Sequence, residues 1–153
     1  AAGATVTHVD ASKGMVTWAK ENAVSSGLKD APIRWLVDDC VKFVEREIRR
    51  GNTYDAIIMD PPSYGRGPKG EIWKIEDMIH PLIRLCAKIL SKDALFFLVN
   101  SYTTGLAPAV LTYMISTELK SWNGHVDSQE IGLPVTNSGL VLPCGASGRW
   151  ESR

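Results

Sequence analysis

Carboxylates stand where three short apolar runs end. Asp10 follows Thr5–Val9, the pair Asp38 and Asp39 follows Ile33–Val37, and Asp60 follows Ala56–Met59. A strand that stops at an acid places it on the carboxyl edge of a sheet, where ligands bind in open α/β folds. An acid in the place of Asp10 accepts hydrogen bonds from both hydroxyls of a ribose, or else it interacts with the dipole of the helix that follows. Ala11 and Ser12 keep the approach to it open. One member of the Asp38–Asp39 pair accepts from an adenine amino group while the other caps a helix; alternatively both are caps. Asp39 is the favoured ligand, with Cys40 and Phe43 as small and apolar walls.

The sharpest signal is Asp60-Pro61-Pro62-Ser63-Tyr64. Two consecutive prolines remove two backbone donors and fix φ, so their carbonyls are held rigidly. An amino group or base edge fits between such a carbonyl and the Asp60 carboxylate. Tyr64 suits stacking on a planar substrate, a contact of roughly 1–3 kcal/mol per base. The bland alternative is a rigid turn with a surface tyrosine. The stretch Gly65–Lys74 reads either as a binding loop or as a solvated one. In the first case Arg66, Lys69 and Lys74 meet phosphates and Trp73 packs beneath; the P-loop spacing is absent. Asn100 and Tyr102, after the apolar run Leu95–Val99, face the same crevice and are candidate substrate contacts. His8, His80 and His125 lack metal-ligand spacing, so no metal site is expected, and His80 reads as structural. Met15, Trp18 and Trp35 read as core.

The elements that must position these groups alternate. Strands are expected over Thr5–Val9, Ile33–Val37, Tyr54–Met59 and Leu95–Val99. Helices are expected from Ser12 to Gly27, about Cys40 to Arg50, about Ile75 to Leu90 and Ala107 to Leu119. Pro81 is read as early enough in its helix to be tolerated or to bend it. Val126–Leu133 and Leu140–Pro143 form a closing strand pair around Asn137-Ser138-Gly139. Gly65–Gly70 is read as a loop and the polar stretch from Gly145 to Arg153 as a fraying end. Four strand–helix alternations predict an α/β fold with a parallel sheet covered on both faces.

At 153 residues and 44% apolar composition the chain can bury one core, so residues 1–153 are read as a single domain. Seventeen basic and seventeen acidic residues leave it formally neutral, which argues against a free-standing nucleic-acid binder. Three cysteines without pairing or metal spacing point to reduced thiols and a cytoplasmic location. No apolar run is long enough to span a membrane. The first residues, Ala1–Ala4, read as the end of a helix, so the chain is expected to begin in mid-domain.

The run Val9–Ser12, then Asp38–Cys40, then Asp60–Tyr64 resembles class I S-adenosylmethionine-dependent methyltransferases. Within them it is similar to the bacterial-type large-subunit ribosomal RNA group with its Asp-Pro-Pro motif. The resemblance covers nearly the whole chain, and its specific part is Asp60–Lys74. It implies a Rossmann-like, mostly parallel sheet with an antiparallel last strand. It places the ribose of the cofactor S-adenosyl-L-methionine on Asp10 and its adenine on Asp39, and the target base near Asp60, Pro61 and Tyr64. The residues themselves add Ala11, Ser12 and Cys40 as candidate cofactor contacts and Pro62, Ser63, Arg66, Lys69, Asn100 and Tyr102 as candidate substrate contacts. The family's first strand and Gly-rich cofactor turn are not found here, so activity is expected of a longer parent and not of this stretch alone. A cytosine-C5 nucleophile is also missing, its place reading Asn100-Ser101-Tyr102. Ser63 separates the prolines from the aromatic residue, unlike the amino-group methyltransferases.

The expected activity is methylation of a base in RNA, ribosomal RNA favoured, with a part in rRNA processing. A small-molecule or protein acceptor and a non-catalytic Rossmann-like module are the alternatives. A nucleotide-binding oxidoreductase ranks lower, having no use for the Asp-Pro-Pro turn.

Overall fold

A computed structural model describes residues 1–67, 70–103 and 105–153. The chain forms two compact units, Ala1–Arg50 and Gly51–Arg153.

The first unit contains β1 (Val6–Asp10), α1 (Lys13–Ser25), β2 (Ile33–Val37) and α2 (Cys40–Arg50). β1 and β2 pair in parallel, Val6 opposite Ile33 and Asp10 opposite Val37. Ser12 caps α1, and Gly27 ends it at φ 71°. Leu28 N–H donates to the Ala23 carbonyl and Gly27 N–H to that of Val24, the paired bonds of a Schellman stop. The buried side of α1 is Val16, with Ala19 and Ala23 beside it, while Met15 and Trp18 are exposed. The expectation that Met15 and Trp18 are core is therefore corrected: both lie one position off the stripe set by Val16. Trp35 is half-buried and tilts against His8, ring centroids 5.1 Å apart.

The second unit holds β3 (Ala56–Met59), β4 (Tyr64–Arg66), β5 (Ile72–Lys74), α3 (Ile75–Ala87), β6 (Phe96–Ser101), α4 (Pro108–Glu118), β7 (Gly124–Pro134) and β8 (Val141–Ser152). Its main sheet has the order β3-β6-β8-β7. β3 and β6 are parallel, and β8 runs against both β6 and β7. Among the four, only β8 is reversed, so the expected antiparallel last strand is present. The expectation that Gly145–Arg153 frays is overturned. β8 continues to Ser152 as an interior strand, its polar residues tolerated because Ala146, Gly148 and Trp150 supply the inward face. A β-carbon on Gly148 would lie 2.8 Å from Leu111 Cβ, so glycine lets α4 settle onto the strand.

β6 is the spine of this unit. Phe97, Val99 and Ser101 are fully buried on one of its faces. α4 packs on β7 and β8, and α3 packs on α4. Ile75, Ile79, Ile83, Leu111 and Ile115 fill the core, each fully buried side chain contributing about 1.5–3 kcal/mol. α4 begins on Pro108, where a missing N–H costs nothing. Pro81, by contrast, is the seventh residue of α3, in the interior and not near the start. It leaves the carbonyl four residues earlier without its helical donor.

α3 and α4 are also joined by charge. Glu118 Oε1 lies 2.7 Å from His80 Nε2 and 3.1 Å from Arg84 Nε. Burial works against the Glu118 carboxylate, but hydrogen bonds from His80 and Arg84 outweigh it and hold its pKa below the usual glutamate value. The folded form therefore binds the proton less tightly than the unfolded chain. The stabilisation is present above the ordinary glutamate pKa and fades as pH falls through the lowered value. Glu118→Gln should cost about 1 kcal/mol in urea unfolding at pH 7, and the difference should shrink toward zero in acid.

Candidate functional site

Two clusters of predicted site residues are described, one in each unit. In the first, β1 delivers Asp10 to the carboxyl end of its strand. Ser12 N–H donates to Asp10 Oδ1 at 2.6 Å, and Ser12 Oγ accepts from Met15 N–H at 3.4 Å. Asp10 thus braces the start of α1 through one oxygen. No hydrogen bond engages Oδ2 among the described residues. The neighbouring strand brings up Asp38, whose N–H donates to the Asp10 carbonyl at 2.9 Å. The Asp38 carboxylate pairs with Arg46. Asp39 Oδ1 accepts from Lys42 N–H at 3.0 Å, making it the cap of α2. The division of labour read from the sequence is refined here. Asp39 is itself the cap, Asp38 is an ion-pair partner, and any ligand contact by Asp39 uses its second oxygen.

Cys40 Sγ approaches the Val9 carbonyl at 3.6 Å. Burial of the thiol, then the charges of Asp10, Asp39 and Asp38, push its pKa up to about 11. It is a protonated wall, not a nucleophile. At pH 8, Cys40 should react with iodoacetamide about 100-fold more slowly in the folded protein than in the unfolded chain, as read by peptide mass spectrometry.

The second cluster is built on the turn after β3. Asp60 is exposed, and partial burial of its carboxyl raises the pKa above the usual aspartate value. The Pro62 carbonyl accepts from the Trp73 indole N–H at 2.6 Å, which commits one of its two lone pairs. Pro61 keeps its carbonyl without a hydrogen-bond partner among the described residues. Ser63 Oγ is 2.6 Å from Thr103 Oγ1, which ties the turn to the segment after β6. Ser63 carbonyl also receives Ile75 N–H at 3.1 Å.

The first two residues of the expected Gly65–Gly70 loop, Gly65 and Arg66, belong to a strand. β4 and β5 form an antiparallel hairpin with Tyr64 opposite Lys74 and Gly65 opposite Trp73. Tyr64 is exposed, and its hydroxyl accepts from Arg66 Nε at 2.9 Å. Lys69 lies outside the described residues. Asn100 is half-buried near the end of β6, and Tyr102 is exposed just beyond it.

Among the expected residues, then, the fold joins Asp10 with Ser12, Tyr64 with Arg66, and Ser63 with the Tyr102 segment through Thr103. Sequence reasoning missed the Trp73–Pro62 and Ser63–Thr103 bonds, which no local pattern announces. It also missed Glu130 and Cys144, which line an open groove beside Tyr102. Among the described residues no group of three or more His, Cys, Asp or Glu side chains is placed to hold a metal ion, and no helix is long and apolar enough to cross a membrane.

No known family profile matches the chain. Over 86 residues, 56% of this chain, it is 36% identical to the ribosomal RNA large subunit methyltransferase K/L of Pseudoalteromonas atlantica. Over 94 residues, 61% of this chain, it is 28% identical to the ribosomal RNA large subunit methyltransferase K of Neisseria meningitidis serogroup B. The matches span 12% and 27% of those two relatives. A SAM-dependent methyltransferase structure from Agrobacterium tumefaciens superposes with a TM-score of 0.92 at 40% identity, covering 99% of this chain and 50% of that one. A methyltransferase solved with SAH, SMU.776, superposes at 0.72 and 21% identity over 94% of this chain and 38% of its own, a likeness of fold alone. In sequence and in fold, the chain is similar to class I S-adenosylmethionine-dependent methyltransferases and stands close to the ribosomal RNA large-subunit group.

Proposed function

We propose that the protein carrying this chain is an S-adenosylmethionine-dependent methyltransferase that modifies a base in RNA, ribosomal RNA above all. The single observation that carries this reading is the Asp60–Tyr64 turn: a raised-pKa carboxylate and a Pro61 carbonyl without a partner among the described residues, on a segment braced by Trp73 and Thr103. Residues 1–153 belong in this reading to one catalytic domain.

The donor set suits the cofactor. Asp10 Oδ2 accepts from the ribose hydroxyls, Asp39 accepts from the adenine amino group, and Ala11, Ser12 and Cys40 shape the wall. When bound, S-adenosylmethionine supplies an electrophilic methyl group on a sulfonium. The chain's own residues then have one task, alignment, which alone is a large effect. Asp60 orients the acceptor or takes its proton, and its raised pKa brings it closer to that use. The Pro61 carbonyl accepts an acceptor N–H. Tyr64 stacks on an extruded base, with Pro62, Ser63, Asn100 and Tyr102 beside it. Arg66 and Lys69 meet phosphates. This role places the protein in the cytoplasm, in rRNA processing.

Methyl transfer from labelled S-adenosylmethionine separates the readings. Label is expected in ribosomal RNA lacking the modification. Label only in a metabolite extract or in protein would favour the second reading, a non-RNA acceptor, which the formal neutrality of the chain supports.

A further inference from the structure

The groove beside Tyr102 has a volume of about 390 Å³, within the range of ligand pockets. It is lined by Tyr102, Thr103, Leu106, Glu130, Pro143 and Cys144 among others. It opens at the carboxyl end of β6, where β8 begins to pair with it. The Ser63–Thr103 hydrogen bond makes its wall continuous with the Asp60–Tyr64 turn. Glu130 is the one charged side chain in its described lining. No hydrogen bond or ion pair engages the Glu130 carboxylate among the described residues.

That chemistry is selective. A lone carboxylate with no cation beside it repels phosphate, so the groove is not where a nucleic-acid backbone runs. It favours a ligand that offers N–H donors. The exposed Tyr102 ring, with Leu106 and Pro143, suits a planar body. Cys144 leaves the groove little donor capacity, since its thiol is directed at the Ile131 carbonyl, 3.4 Å away.

We propose, resting on the RNA-methyltransferase reading above, that this groove is a specificity pocket for a nucleobase bearing an exocyclic amino group. Glu130 accepts the amino N–H, and Tyr102 stacks on the ring. Uracil is disfavoured: its single ring N–H is flanked by two carbonyl oxygens, which meet the carboxylate with lone pairs instead of protons. Glu130 is exposed, so the discrimination comes from the lost hydrogen bond and is modest, about tenfold.

Nucleoside binding measured by saturation-transfer NMR tests this without any need for catalysis. Cytidine, adenosine and guanosine should bind the wild-type protein, with uridine about tenfold weaker. Glu130→Ala should erase that preference and Glu130→Gln, which keeps a carbonyl acceptor, should retain part of it. Glu130 is exposed, so both variants are expected to keep the wild-type circular dichroism. In methylation assays Glu130→Ala should raise KM for RNA about tenfold and change kcat by less than about twofold. Equal binding of uridine by the wild type, or an unaltered preference in Glu130→Ala, would overturn the pocket. A wild-type protein that shows the preference but transfers no methyl group to RNA would instead overturn the RNA-methyltransferase reading and leave the pocket standing.

Discussion

Asp60→Asn should lower kcat for methyl transfer by about 10²–10⁴-fold while leaving cofactor affinity unchanged. The magnitude is that of a positioned acid–base group. The direction follows from the site. Asparagine keeps the size of Asp60 and one carbonyl acceptor, but it cannot take a proton, and its amide offers a donor where the acceptor's own N–H must point. Stability should move the other way. Partial burial raises the Asp60 pKa, so the folded protein holds this proton more tightly than the unfolded chain. Its contribution is favourable below the ordinary aspartate value and is lost as pH rises through the raised one. Asp60→Asn should therefore melt no lower than wild type at pH 7, and slightly higher. A variant that loses activity because it unfolds would contradict this account; thermal melts beside the kinetics distinguish the two.

The second large effect is expected at Asp10. Its carboxylate has one oxygen committed to Ser12 N–H and one without a partner among the described residues. A charged acceptor that meets two hydroxyls contributes on the order of 1.5–3 kcal/mol per hydrogen bond, so its loss should weaken cofactor binding by about 10²–10⁴-fold. Asp39 needs a different variant. Alanine there would remove the cap of α2 and cost about 0.5–2 kcal/mol of stability, confusing the two roles. Serine retains the cap and removes the second oxygen. Asp39→Ser should then weaken binding without lowering the melting temperature appreciably.

Much of this was legible in the sequence, and the reasons are specific. β2 and α2 stand where the pattern put them because Ile33–Val37 is bounded by turn signals and Gly51 stops the helix at φ 69°. α4 was legible through Pro108 and a run of apolar residues. The closing strand pair was legible around Asn137-Ser138-Gly139, but the second half of its last strand was not. Gly145–Ser152 alternates small and polar residues, and only the approach of α4 at Gly148 turns that into an interior strand. The β4–β5 hairpin was obscured for the opposite reason: its three glycines look like loop punctuation, while Trp73 supplies the order through a bond to Pro62. In the site, acids at strand ends were visible from position alone. What each oxygen does was not, because capping of Lys42 and bracing of Ser12 depend on side-chain rotation. Glu130 was invisible: it sits in a strand that reads as ordinary alternation, and its neighbours Tyr102 and Cys144 are remote in the chain.

Titration calorimetry of S-adenosylhomocysteine against the wild-type protein, Asp10→Ala and Asp39→Ser addresses the central claim most directly, namely that the acids ending β1 and preceding α2 hold the adenosine moiety. The account predicts measurable binding by wild type and a loss of about tenfold or more in Asp10→Ala. Wild-type affinity retained by both variants would contradict it.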